Sequence, residues 1–79
     1  EMARFRVGWR SRLVGRSLGE LSLPERLGCT VAAIERDGKG LPTIGPETVV
    51  ERGDHLAVIG SFESIEKFTR RYRWRNPLR

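Results

Sequence analysis

Leu13-Val14-Gly15-Arg16-Ser17-Leu18-Gly19-Glu20-Leu21 is the stretch on which the reading of the fold turns. Ser17 followed three residues later by Glu20 is a capping box, in which each side chain satisfies a free backbone donor of the first helical turn. A helix therefore starts at Ser17, with Leu18 and Leu21 as its buried stripe. Pro24 cannot continue it, because proline lacks the amide hydrogen and its ring clashes with the preceding turn. Pro24 to Leu27 adds one further turn, closed by Gly28 in a left-handed cap.

Working outward, Arg4 to Arg10 alternates, with Phe5, Val7 and Trp9 on one face and Arg4, Arg6, Gly8 and Arg10 on the other. That period predicts a half-buried strand with a charged outer face. Cys29 to Arg36 is rich in β-formers and small apolar residues and predicts a central strand. Asp37-Gly38-Lys39-Gly40 supplies hairpin turn chemistry, and Leu41 to Ile44 is the expected return strand. Pro42 places that strand at an edge or makes it irregular. Thr48-Val49-Val50 reads as a short extended piece. Glu51-Arg52-Gly53-Asp54 reads as a tight turn, with Gly53 at positive φ and the Asp54 carboxylate bonded back to turn amides. His55 to Ile59 is the most apolar strand of the set.

The final element is a helix capped by Ser61, with Glu63 and Glu66 near its positive end and Arg70 and Arg71 near its negative end. Phe62, Ile65, Phe68 and Tyr72 recur as one apolar face. From Arg73 to Arg79 no period remains, so residues 1–72 read as one domain and 73–79 as a basic tail. The fold class expected is α+β: a small, mostly antiparallel or mixed sheet with two helices.

At 79 residues the chain lies near the lower limit for burying a sufficient core, so burial against a second copy is expected to help. A single cysteine, Cys29, excludes an internal disulfide framework and suits a reducing compartment. No apolar run approaches the roughly 18 residues of a membrane span, and no signal-peptide pattern opens the chain, which reads as cytoplasmic. Its start at Glu1 reads as that of a fragment from a longer protein.

The net charge of +5 is concentrated at the two ends. Arg4, Arg6, Arg10, Arg12 and Arg16 crowd the first, Arg70, Arg71, Arg73, Arg75 and Arg79 the second, and the middle is mildly acidic. Such arginines suit nucleic acid, acidic lipid headgroups or an acidic partner surface. The competing reading is a solvated tail plus the outer face of an edge strand. The core motifs carry no nucleic-acid signature, so nucleic acid is not an expected partner.

Catalytic chemistry is not expected. One histidine and one cysteine, without a C-x-x-C, cannot assemble a zinc set from one chain. Cys29 and His55 both sit in strand-like stretches, where such residues ordinarily pack a core. Gly38-Lys39-Gly40 lacks the strand–loop–helix context of a phosphate loop, and no G-x-G-x-x-G follows a strand. No catalytic residue, metal ligand or cofactor is assigned.

The order of these pieces resembles the RCK-C domain, also called TrkA-C, of potassium-channel and potassium-transporter regulators. The pieces that carry the resemblance are Gly15 with Ser17, Leu18 and Leu21, then Ala33-Ile34-Glu35-Arg36-Asp37-Gly38. Pro42 or Pro46 and Thr48-Val49 follow, then Gly53-Asp54-His55-Leu56-Ala57-Val58-Ile59-Gly60, and finally Glu63 and Ile65. The match covers about Phe5 to Phe68. It implies a homodimeric, non-catalytic sensor acting on a membrane channel, transporter or cation/proton antiporter from the inner face of the cell membrane. Some members bind cyclic di-AMP between two subunits. A symmetric dianion suits a two-fold interface, where each subunit offers the same groups. Arg26, Arg36 and Arg16 are candidates to meet a phosphate, and Leu23, Leu27 and Ile34 to cover an adenine face. Gly53 and Asp54 are read as structural turn residues. A nucleic-acid or acidic-partner module using the terminal arginines, and a purely structural dimerisation domain, stay open as alternatives.

Overall fold

Period-two alternation in the last strand puts Leu56 and Val58 on one face and His55, Ala57 and Ile59 on the other. In a computed structural model, which describes residues 1–73, this strand lies inside a four-stranded sheet. The elements are β1 (Met2–Arg6), α1 (Leu18–Leu21), α2 (Leu23–Leu27), β2 (Cys29–Arg36), β3 (Lys39–Gly40), β4 (His55–Gly60) and α3 (Phe62–Tyr72). The strand order is β1-β4-β2-β3, with every pair antiparallel. The architecture is α+β, as the pattern of elements implies, with the first helical region split at Ser22 into two short helices.

One face of the sheet is covered. Leu56 and Val58 of β4, and Cys29, Val31 and Ile34 of β2, point into the core with Leu13, Leu21, Leu23, Val50 and Phe68. Val31 and Ile34 can both face inward because the β2–β4 register shifts between Val31 and Ala33. One extra residue there reverses the alternation, as a bulge does. α3 lies across this face: the Phe68 ring meets Phe5 edge-on at 5.0 Å and Tyr72 at 5.1 Å.

Three expectations are corrected. β1 ends at Arg6, not Arg10, because its partner β4 begins at His55, directly opposite. The chain turns at Gly8–Ser11, and Trp9 is 64% exposed. Leu41 to Ile44 is not a strand. Asp37 (φ 54°) and Gly38 (φ 78°) make a two-residue hairpin turn, so the return strand is only Lys39–Gly40. Leu41 still donates to the Ile34 carbonyl at 2.8 Å, and Pro42, with no amide hydrogen, ends the ladder. Phe62 is 61% exposed, so α3 meets the core only from Ile65 onward. Of the tail expected at 73–79, all but Arg73 lies outside the described residues.

The capping box forms as read: Glu20 N–H donates to the Ser17 hydroxyl at 3.1 Å, and Ser17 N–H to the Glu20 carboxylate at 2.9 Å. The extended piece after Pro46 is bound alongside the start of α1. Leu18 N–H donates to Thr48 O at 2.9 Å, Gly15 N–H to Val50 O at 2.8 Å, and Val50 N–H to Arg16 O at 2.9 Å.

Candidate functional site

The Asp54 side chain, at the turn before β4, is fully buried. Its carboxylate accepts from Arg36 Nε at 2.9 Å and Nη2 at 2.8 Å, and from the Glu51 amide at 2.8 Å. Arg36 Nη2 also donates to the Val49 carbonyl at 2.9 Å, and Nη1 pairs with Glu51 at 3.1 Å. Burial pushes the Asp54 carboxyl up, but the Arg36 and Glu51 hydrogen bonds and the Arg36 charge outweigh it and hold it below the usual value. The turn amide was expected. Arg36, eighteen residues away, was not, and it is the larger partner. Arg36 thereby ties β2, the 49–51 segment and the turn before β4 together. Gly53 has φ 86°, so the turn needs its positive φ, although a side chain there would meet open space.

The remaining residues assigned to a ligand divide. Leu23 and Ile34, 3% and 1% exposed, are core side chains. Arg26 and Arg16 are exposed and Leu27 is half-buried. The structure does not bring this set together around one cavity. A groove of about 440 Å³ lies instead on the neighbouring phase of the same elements. Leu18, Ser22, Pro24 and Glu25 form its wall at the α1–α2 corner, Thr30 and Val31 its floor on β2, and Ile44 and Pro46 its far side. The signal in the sequence was the alternation itself: if Leu21 and Leu23 face the core, Ser22 and Pro24 face outward.

The groove runs beside an open sheet edge. β3 pairs with β2 only at Glu35 and Arg36, so β2 from Cys29 to Ala33 has a strand neighbour on the β4 side alone among the described residues. An unpaired edge of this kind is a template for a second chain.

Cys29 and His55 are not brought together. Cys29 is paired with Gly60 and His55 with Glu35, at opposite ends of the β2–β4 ladder. Cys29 faces the core, where burial pushes its thiol up, away from the thiolate form. His55 lies on the uncovered sheet face, where Arg4 reaches both its Nδ1, at 3.4 Å, and the Glu35 carboxylate. Among the described residues no helix is long and apolar enough to cross a membrane.

Known proteins share this arrangement. The TrkA-C domain model matches residues 2–73. Two uncharacterized transporters, from Bacteroides thetaiotaomicron and Bacteroides fragilis, are each 34% identical over 58 residues, covering 73% of this chain. The chain spans only 11% of the length of these relatives. The RCK_C domain dimer of S. agalactiae BusR in complex with c-di-AMP superposes with a TM-score of 0.77 at 32% identity, covering 87% of this chain and 91% of that one. BusR in complex with its busA-promotor DNA gives the same TM-score at 31% identity, over 89% of this chain and 35% of that one. The RCK C domain of the potassium transport protein KtrA, also with c-di-AMP, reaches 0.80 at 21% identity, over 90% and 81% of the two chains, which is a likeness of fold. With a match that leaves out only residue 1 and the last six, the chain belongs to the TrkA-C (RCK_C) domain family.

Proposed function

We propose that this domain is a non-catalytic sensor that works as a symmetric homodimer and binds a cyclic dinucleotide, cyclic di-AMP first, between its two subunits. Through that ligand it controls a potassium channel or other cation transporter from the cytoplasmic side. The observation that carries this reading is the groove at the α1–α2 corner, lying along the unpartnered stretch of β2. Two such grooves, related by a two-fold axis at that edge, offer a symmetric ligand the same groups twice. Leu18, Pro24, Ile44 and Pro46 supply apolar surface for an adenine, and the Ser22 and Thr30 hydroxyls supply hydrogen bonds. Glu25 is an acceptor for an exocyclic amine, and exposed Arg26, one residue on, is the cation for a phosphate. Leu27 supports the α2 turn that holds both.

Cyclic di-AMP at a hundred times its dissociation constant is expected to stabilise the folded protein by about 2.7 kcal/mol, read as a rise in melting temperature. Thr30→Tyr, which fills the groove from an exposed position, abolishes that rise while leaving the unliganded melting temperature in place. Arg26→Gln diminishes it. A protein whose melting is unmoved by cyclic di-AMP removes this ligand from the proposal.

A further inference from the structure

The basic residues near the two chain ends converge on one end of the molecule. β1 leaves the sheet there at Arg6, β4 joins it there at His55, and α3, running back along the sheet, finishes there at Tyr72. Val7 is tied to that end by bonds with Gly53 and Asp54, both 2.8 Å, so the loop after β1 and the turn before β4 lie side by side. Arg12 Nη2 reaches across to the Arg71 carbonyl at 3.2 Å and joins the loop to the last turn of α3.

Trp9 stands at this end, its ring flanked by the guanidinium of Arg10 at 5.2 Å and that of Arg52 at 5.9 Å. The two arginines come from different loops, so the stack is a tertiary feature and not a neighbour effect. The ion pairs among the described residues use Arg4, Arg36 and Arg70, so Arg6, Arg10, Arg12 and Arg52 face no carboxylate at pairing distance there. At the turn before β4, Arg36 pairs with both Glu51 and Asp54, which leaves one negative charge there against the positive charges of Arg6, Arg10, Arg12 and Arg52. Between β1 and the end of α3 a hollow of about 300 Å³ is lined by Arg4, Arg6, Arg73 and the hydroxyl-bearing Ser11, Thr69 and Tyr72, and among the described residues no carboxylate lines it.

We propose that this basic end docks on an anionic lipid bilayer, with Trp9 at the headgroup level, its arginines on lipid phosphates and one headgroup phosphate seated in the hollow. An indole flanked by cations suits the boundary between water and hydrocarbon, where tryptophan and arginine are both favoured. A nucleic-acid groove is the poorer fit, because this end offers short turns and the tip of α3, not the side of a helix or a two-stranded ribbon. The surface is separate from the α1–α2 groove, so the effector reading and this one stand or fall independently.

The test uses the full chain carrying Trp74→Phe, so that Trp9 alone reports, with vesicles of phosphatidylcholine with or without phosphatidylglycerol. The protein is expected to sediment with the anionic vesicles only, and Trp9 emission to move to shorter wavelength and resist an aqueous quencher. Each of Arg10→Gln and Arg52→Gln is expected to weaken binding about fivefold at low salt. Trp9→Ser removes binding in a protein that melts normally, and Lys67→Gln, an exposed charge in the middle of α3, has little effect. Binding indifferent to lipid charge, an unmoved Trp9 emission, or a loss with Lys67→Gln equal to that with Arg52→Gln overturns the proposal. So does binding of a DNA duplex through these same arginines without binding to vesicles.

Discussion

Asp54 shows what a single residue contributes and what a sequence conceals about it. Read locally, an aspartate after glycine is a turn former whose loss costs about 1 kcal/mol. In the structure its buried carboxylate balances Arg36, whose side chain is 23% exposed. Asp54→Ala would leave a largely buried guanidinium with only the exposed Glu51 carboxylate and the Val49 carbonyl as partners, and the expected cost rises to about 3 kcal/mol, measured by urea unfolding. The same pair sets an acid limit. Because the folded carboxyl is held below its unfolded value of about 3.9, its stabilisation is complete above that pH and is lost as pH falls through the lower, folded value. Stability should therefore fall more steeply below about pH 4 in the wild type than in Asp54→Asn, and equal slopes would show that the pair contributes nothing. Gly53→Val should cost about 1–3 kcal/mol through its positive φ alone, since a Cβ there meets no neighbour, and Gly53→Asn less. The glycine was legible in the sequence because its reason is local. The arginine was not, because the pairing depends on β2 and β4 lying side by side.

At the scale of elements, local chemistry predicted starts and stops better than lengths. The capping box at Ser17 forms as read, and Ser17→Ala should cost about 1 kcal/mol in thermal unfolding. Strand lengths depend instead on where a partner ends. The Arg4–Arg10 alternation continues past Arg6, but β4 does not, so Trp9 left the expected core face. Trp9→Ala is accordingly expected to change stability by less than about 0.5 kcal/mol, whereas Phe68→Ala, within the core, should cost about 3–5 kcal/mol. A large loss from Trp9→Ala would mean that the ring packs in solution as it does not here. The bulge near Ala32 was equally hidden, since nothing in Cys29–Arg36 marks which residue is the extra one. That shift also puts Ile34 on the core side, three residues after Val31 and not two or four.

For the whole molecule, a sheet covered on one face leaves two surfaces to account for. The uncovered face carries Met2, 70% exposed, and Ile59, 41% exposed, around the Arg4–Glu35 pair, and the β2 edge beside the groove has no partner strand among the described residues. Both are surfaces that the proposed homodimer gives a second copy to cover. The α+β class and the family were legible because they rest on the order of caps, turns and strands along the chain. The groove was not, since its walls come from three separate segments that only the folded chain assembles. Calorimetric titration of the domain with cyclic di-AMP is the most direct test of the central claim, because its stoichiometry reports the symmetry of the site. One ligand bound per two chains is the result expected of a site shared across a two-fold axis. One ligand per chain, or no heat at all, would contradict it.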